Sequence, residues 1–114
     1  MALSEIQRAE VNRRLGAFCK ARVHPTLRNQ VRVGFRIDSG AVVLFETRPA
    51  FHAPDEWREI GIAKFTFIAS RSLWRLYCQH RDLRWHAYEA LPEARNFKTL
   101  VEEVAADPTG IFWG

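Results

Sequence analysis

The sequence lacks several features that would define a class of protein at once. Its two cysteines, Cys19 and Cys78, form neither a C-x-x-C pair nor a zinc-site spacing. It has no run of about 18 apolar residues, so no segment is predicted to span a membrane. The N-terminal stretch MALSEIQRAEVNRR carries charges where a secretory signal would be apolar. We therefore predict a cytoplasmic protein with two reduced, mostly buried thiols.

The sequence also lacks the common catalytic and phosphate-binding motifs. It has no G-x-S-x-G, no G-x-x-x-x-G-K-[ST] and no G-x-G-x-x-G. His80, Asp82 and His86 are metal-ligand types close together in sequence. On a hairpin, however, His86 would lie about 13 Å along the strand from the tip, too far to share an ion. We predict no metal, no cofactor and no assigned catalytic residue.

The overall composition is that of a small globular protein with a basic surface. The chain has 114 residues, 47% of them hydrophobic and 26% charged, and a net charge of +4. This length and apolar content predict a single domain over residues 1–114. The excess of positive charge moderately favours contact with a polyanion.

Helical periodicity occurs near both ends of the chain. Ser4 and Gln7 form a capping-box pattern at the start of a helix predicted over 4–22. A second helix is predicted over 93–106, with Pro92 at its start. The apolar tail TGIFWG is expected to pack against the core.

Between the helices the apolar residues alternate with a period of two. A three-residue loop at 38–40, with Gly40 left-handed, would pair Phe35 with Val43 and set Arg32 opposite Glu46. Residues 48–57 contain two prolines and are predicted to be a loop. Strands resume at Ile60, with turns centred on Ser70-Arg71 and Arg81-Asp82.

These turns give the three later strands one apolar and one polar face. The predicted apolar face consists of Ala63, Phe65, Phe67, Trp74, Leu76, Cys78, Trp85 and Ala87. The predicted fold is therefore α+β, in the order α-β-β-β-β-β-α. A five-stranded antiparallel sheet carries the N-terminal and C-terminal helices on one face, giving two layers.

The polar face of the predicted sheet is the candidate site. Its basic residues would meet phosphates and its aromatic rings would stack on unpaired bases of single-stranded RNA or DNA. The candidate nucleic-acid-binding residues are Lys64, Arg75, Tyr77, Arg84, His86 and Tyr88.

Two other functions remain open for the same face. A protein partner or a second copy of the chain could cover its aromatic residues, which makes an interaction module one alternative. A metal-independent, toxin-type ribonuclease is the other. His86 or Tyr88 would act as the base in that enzyme, and Lys64, Arg75 and Arg84 would hold the phosphate.

Three segments carry a resemblance to a known family. They are LFETRP (44–49), IAKFTFIASRSLWRLYCQHRDLRWHAYEAL (62–91) and ADPTGIFWG (106–114). The pattern of Trp74, Arg81-Asp82 and Trp85-His86 is its most specific part. These segments resemble a bacterial family of unknown function, DUF 3024. The resemblance implies a small bacterial protein, and it brings no activity, cofactor or catalytic residue.

Overall fold

The computed structural model describes residues 2–114 and confirms the α+β class. Its two α-helices are α1 (Glu5–Arg22) and α2 (Phe97–Ala106), and two single-turn 3-10 helices are formed by Pro25–Leu27 and Ala69–Arg71. The strands are β1 (Arg32–Asp38), β2 (Ala41–Ala50), β3 (Ala53–Ile68), β4 (Leu73–Gln79), β5 (Trp85–Ala87) and β6 (Glu93–Ala94). No helix in the described range 2–114 has the length and apolar character needed to cross a membrane.

The strands form one antiparallel sheet with both helices on the same face. The order is β1-β2-β3-β4, and the far edge of β4 pairs with β5 at one end and with β6 at the other. The sheet therefore has six strands where five were predicted, because Glu93 and Ala94 add a short strand. One hydrophobic core between the sheet and the helices includes Leu15, Phe65 and Phe97.

Both predicted helices form, although the second begins later than expected. Ser4 caps α1 as predicted: its Oγ accepts from Gln7 N (3.1 Å), and Gln7 Oε1 accepts from Ser4 N (2.9 Å). Helix α2 begins at Phe97 rather than at residue 93. The chain before it still pairs with β4, and Pro92 O accepts from Leu76 N (2.9 Å). Pro92 therefore lies in the connection between β5 and β6 and does not start the helix.

The β1–β2 turn is shorter by one residue than predicted. Asp38 pairs with Ala41, and Ser39, with a φ of 58°, takes the left-handed conformation expected of Gly40. Phe35 consequently lies opposite Leu44 rather than Val43.

The same shift removes the predicted pair of Arg32 and Glu46. Arg32 lies opposite Thr47, and its guanidinium sits 4.0 Å from the centre of the Trp57 ring. Glu46 instead accepts from Arg48 Nε at 2.5 Å. The cross-strand charge pair predicted from the sequence is therefore wrong.

Residues 48–57 were predicted to be a loop and instead form the end of the β2–β3 hairpin. Strand β2 runs to Ala50 and β3 starts at Ala53, with only Phe51 and His52 between them. Beyond Thr47, β2 has no partner other than β3 among the paired residues. The prolines are tolerated because a two-stranded arm leaves one side of each strand free of ladder hydrogen bonds.

The C-terminal tail packs against the core through two of its aromatic residues. Phe112 is buried, and the Trp113 indole N–H donates to Val104 O (2.9 Å). Asp107, in the left-handed conformation, accepts from the backbone N–H groups of Phe112 (3.1 Å) and Trp113 (2.9 Å). Ile111 stays exposed. A short polar side chain thus fixes the direction of the tail after α2.

Both thiols are free, and we expect them to be unreactive in the folded protein. Burial raises the pKa of Cys19 to about 11 and also raises the pKa of Cys78. At about pH 8, only about one Cys19 side chain in a thousand would be the nucleophilic thiolate. Thiol titration with an aromatic disulfide should give fast labelling of both cysteines in denaturant and slow labelling without it. Rapid labelling of the native protein would contradict this burial.

Candidate functional site

The β3–β4 register is the predicted one and defines the face of the sheet opposite the helices. Phe67 pairs with Trp74, Phe65 with Leu76 and Ala63 with Cys78, and these residues face the core. The residues between them point the other way, because side chains alternate along a strand. Lys64, Arg75 and Tyr77 therefore lie on the face that neither helix covers, as the sequence predicted.

The β4–β5 register differs from the prediction by one residue. Cys78 lies opposite His86 and Gln79 opposite Trp85, so the loop contains five residues, 80–84, instead of four. Leu83 accommodates the additional residue with a φ of 63°. This shift moves Trp85 to the same face as Tyr77 and moves His86 to the helix side. The sequence had assigned both side chains to the opposite faces.

The predicted site residues therefore do not form one surface. Lys64, Arg75 and Tyr77 lie together, whereas His86 and Tyr88 lie on the helix side of the sheet. Arg84 is exposed in the loop before β5, where its backbone N–H donates to Asp82.

Tyr88 has a structural position that removes it from any surface. Its side chain is buried, and its hydroxyl donates to Glu103 Oε2 (2.6 Å) on α2. Burial raises the pKa of Tyr88, and the hydrogen bond to Glu103 raises it further. The ring also packs 4.8 Å from the Phe112 ring, between centroids. Tyr88 is thus a core residue and cannot stack on a base.

His86 belongs to a polar cluster at the loop end of β5. Its Nε2 lies 2.9 Å from Asp82 Oδ2, and its ring stacks on His80 with 3.9 Å between centroids. The Arg84 N–H and His86 hold the pKa of Asp82 below its usual value. A cleft of about 450 Å³ begins beside these histidines. Within residues 2–114, no three His, Cys, Asp or Glu side chains are placed to share a metal ion.

Two aromatic residues that the sequence did not suggest join the uncovered face. The Phe45 ring lies over Gly34, where an added Cβ would come within 3.1 Å of it. The Trp85 ring lies over Gly61 in the same way, at 2.9 Å. Each glycine leaves room for a ring to lie against the sheet. We call this surface the outer face; it consists of Arg36, Phe45, Glu59, Lys64, Arg75, Tyr77, Gln79, Trp85 and Glu93.

Cations and carboxylates are interleaved along the outer face. Glu93 holds Arg71 (3.0 Å) and Arg75 (3.7 Å). Glu59 holds Arg36, whose guanidinium also lies 5.4 Å from the centre of the Phe45 ring. Lys64 makes no ion pair with any residue from 2 to 114, and its Nζ lies 6.0 Å from the centre of the Tyr77 ring. Lys64 is thus a cation available to a ligand at the centre of the face.

Comparison with known proteins identifies a family for nearly the whole chain. The sequence model of a family described as "Domain of unknown function (DUF3024)" matches residues 3–114. The chain belongs to this family. Comparisons with curated proteins and with solved structures give no match. The DUF3024 assignment agrees with the resemblance seen in the sequence and leaves the function to be inferred from the outer face.

Proposed function

We propose that this DUF3024 protein binds single-stranded nucleic acid on the outer face. The observation that carries the proposal is the location of Tyr77 and Trp85 on one uncovered side of the sheet, beside Lys64. Aromatic rings interleaved with cations on an antiparallel sheet can hold unpaired bases and their phosphates together. No catalytic step is part of the proposal.

The spacing of the aromatic residues suits successive bases. Tyr77 lies opposite Ala87, so Trp85 is its diagonal neighbour across the two strands. Diagonal neighbours on one face of an antiparallel pair are about 7–8 Å apart. Two bases of one strand could stack on these rings, and each stack contributes about 1–3 kcal/mol.

Charge on the face favours contact with the backbone of the ligand. Lys64 is half-buried on β3 and has no carboxylate partner within the described residues 2–114. A phosphate that binds Lys64 would therefore not have to displace a carboxylate. Arg36 and Arg75 are held by glutamates and retain further N–H donors for a phosphate oxygen. The net charge of +4 adds a general attraction for polyanions.

The structure does not assemble the arrangement that the ribonuclease alternative needs. His86 and Tyr88 lie on the helix side, whereas two members of the predicted clamp, Lys64 and Arg75, lie on the outer face and the third, Arg84, lies in the loop before β5. A base and a phosphate clamp on opposite sides of a sheet cannot act on one phosphodiester.

We place the nucleic-acid binding in the bacterial cytoplasm, a location that the two free thiols favour.

The proposal predicts salt-dependent binding that weakens when Lys64 is replaced. Fluorescence anisotropy of a labelled, unstructured oligonucleotide should show affinity falling as salt rises from about 50 to 200 mM. Lys64→Ala should weaken binding to every sequence and reduce the slope of log K against log salt by about 0.7, the value for one phosphate of a single strand.

Lys98→Ala is the matched control, because Lys98 is an exposed lysine on α2, away from the outer face. Its affinity and salt slope should equal those of the unchanged protein. Absence of binding at low salt would overturn the proposal. If a protein partner covered the outer face and the protein had no affinity for oligonucleotides, the result would support an interaction module instead.

A further inference from the structure

The outer face contains a pocket whose size and lining suit one nucleobase. The pocket has a volume of about 290 Å³ and lies between the Trp85 ring and the Arg36–Glu59 ion pair. Pockets for drug-sized ligands begin at about 300 Å³, so this one fits a smaller group. Gly61 lines it, and any side chain there would meet Trp85 and Gln79.

The apolar part of the pocket is built to stay open to a ligand. Leu83 lines it with Trp85, and Leu83 remains 76% exposed. Leu83 also adopts a φ of 63°, which is unfavourable for leucine and places its side chain at this rim. Leu83 belongs to the five-residue loop before β5, so the loop that sets the β4–β5 register also carries this apolar residue to the pocket.

The polar part presents a fixed pattern of donors and acceptors. Gln79 Nε2 donates to Leu83 O (3.0 Å), which turns Gln79 Oε1 towards Gly61 as an acceptor. Next to it, the Glu59 carboxylate accepts hydrogen bonds only, while Arg36 donates them only. A ligand that fits must therefore offer an acceptor to Arg36 and donors to Glu59 and Gln79.

We propose that this pocket holds one unpaired guanine of the bound strand, an inference that rests on the proposed function. The guanine O6 would accept from Arg36, and its N1–H and N2 amino group would donate to Glu59 and Gln79. Trp85 would stack on the ring. Uracil offers a carbonyl where guanine offers its amino group, so it would set an acceptor against the Glu59 carboxylate. Adenine and cytosine offer fewer donors to the acceptor side.

A single guanosine in a uniform strand tests the proposal. The probes are an oligouridylate about ten nucleotides long and the same strand with one central guanosine, adenosine or cytidine. For the unchanged protein, the guanosine should tighten binding by about tenfold, as expected for hydrogen bonds to charged groups. Glu59→Gln keeps the shape of the side chain and should reduce that preference to less than about twofold.

Glu56→Gln serves as the control, because Glu56 is exposed on the same strand and does not line the pocket. It should keep the guanosine preference. Equal binding of all four strands by the unchanged protein would overturn the guanine pocket and leave the proposed function standing. A preference for adenosine or cytidine, or a guanosine preference that survives Glu59→Gln, would also overturn it. Binding of none of the strands at low salt would overturn both proposals.

Discussion

Alanine at Trp85 is expected to weaken the binding of an unstructured oligonucleotide by roughly 5- to 150-fold, the range for losing one base stack. Trp85 lies on the uncovered side of the sheet, over Gly61 and diagonal to Tyr77. Its removal should leave the core intact, because the ring lies outside the packed residues between sheet and helices. Fluorescence anisotropy measures the affinity, and far-UV circular dichroism checks the fold.

His86→Ala is the control that distinguishes the register of β5 in the structure, with Trp85 on the outer face, from the register predicted from the sequence, with His86 there. His86 is next to Trp85 in sequence but lies on the helix side, stacked on His80. Its removal should change the affinity by less than about twofold, since no stack is lost. If His86→Ala weakened binding as much as Trp85→Ala, or if Trp85→Ala had no effect, the outer face would not be the binding surface.

Alanine at Phe97 is expected to lower the free energy of unfolding by about 3–5 kcal/mol, the usual cost of truncating a buried phenylalanine. The Phe97 ring is fully buried at the start of α2. It packs against Phe65 (5.0 Å) and Trp74 (4.7 Å), measured between ring centroids. A loss of this size is a large fraction of the stability of a small domain. Urea unfolding followed by tryptophan fluorescence gives the value.

Phe51→Ala is the matched substitution, because Phe51 is 92% exposed at the tip of the β2–β3 hairpin. It should change the free energy of unfolding by no more than about 0.5 kcal/mol. A cost at Phe97 close to that at Phe51 would mean that α2 does not cover the sheet as described.

The β3–β4 hairpin shows what the sequence can predict here. Phe65 and Leu76 are buried together only in a register of this parity, since a slip of one residue would expose the apolar row of one of the two strands. The same reasoning located α1, whose Ser4 cap and apolar spacing agree with each other. Where burial and turn chemistry point to the same pairing, the sequence-based prediction was confirmed.

The β4–β5 register was wrong because burial does not specify it. Strand β5 has three residues, and Trp85 and His86 are both half-buried, so either face accepts either side chain. The decisive feature is the left-handed conformation of Leu83, which is uncommon for leucine and is not expected from the sequence. Asp82 was the available signal, because its carboxylate accepts from Arg84 N and shapes the longer loop.

The β2–β3 arm was missed for a related reason. Pro49 and Pro54 argue against a central strand, and the prediction took them as evidence for a loop. In a two-stranded arm, each strand has one free side, which the sequence alone does not reveal. The outer face does not depend on this arm: Phe45 and Trp85 were missed because the β1–β2 and β4–β5 registers each differ by one residue from the predicted ones.

An amide-resolved NMR titration with an unstructured oligonucleotide tests the central claim most directly. Binding on the outer face predicts shifts of the backbone amides of Lys64, Tyr77 and Gln79 and of the Trp85 indole N–H. The chemical shifts of the backbone amides of α1 and α2 should not change. Shifts confined to the helices or to the cluster of His80 and His86, or no shifts at low salt, would contradict the account.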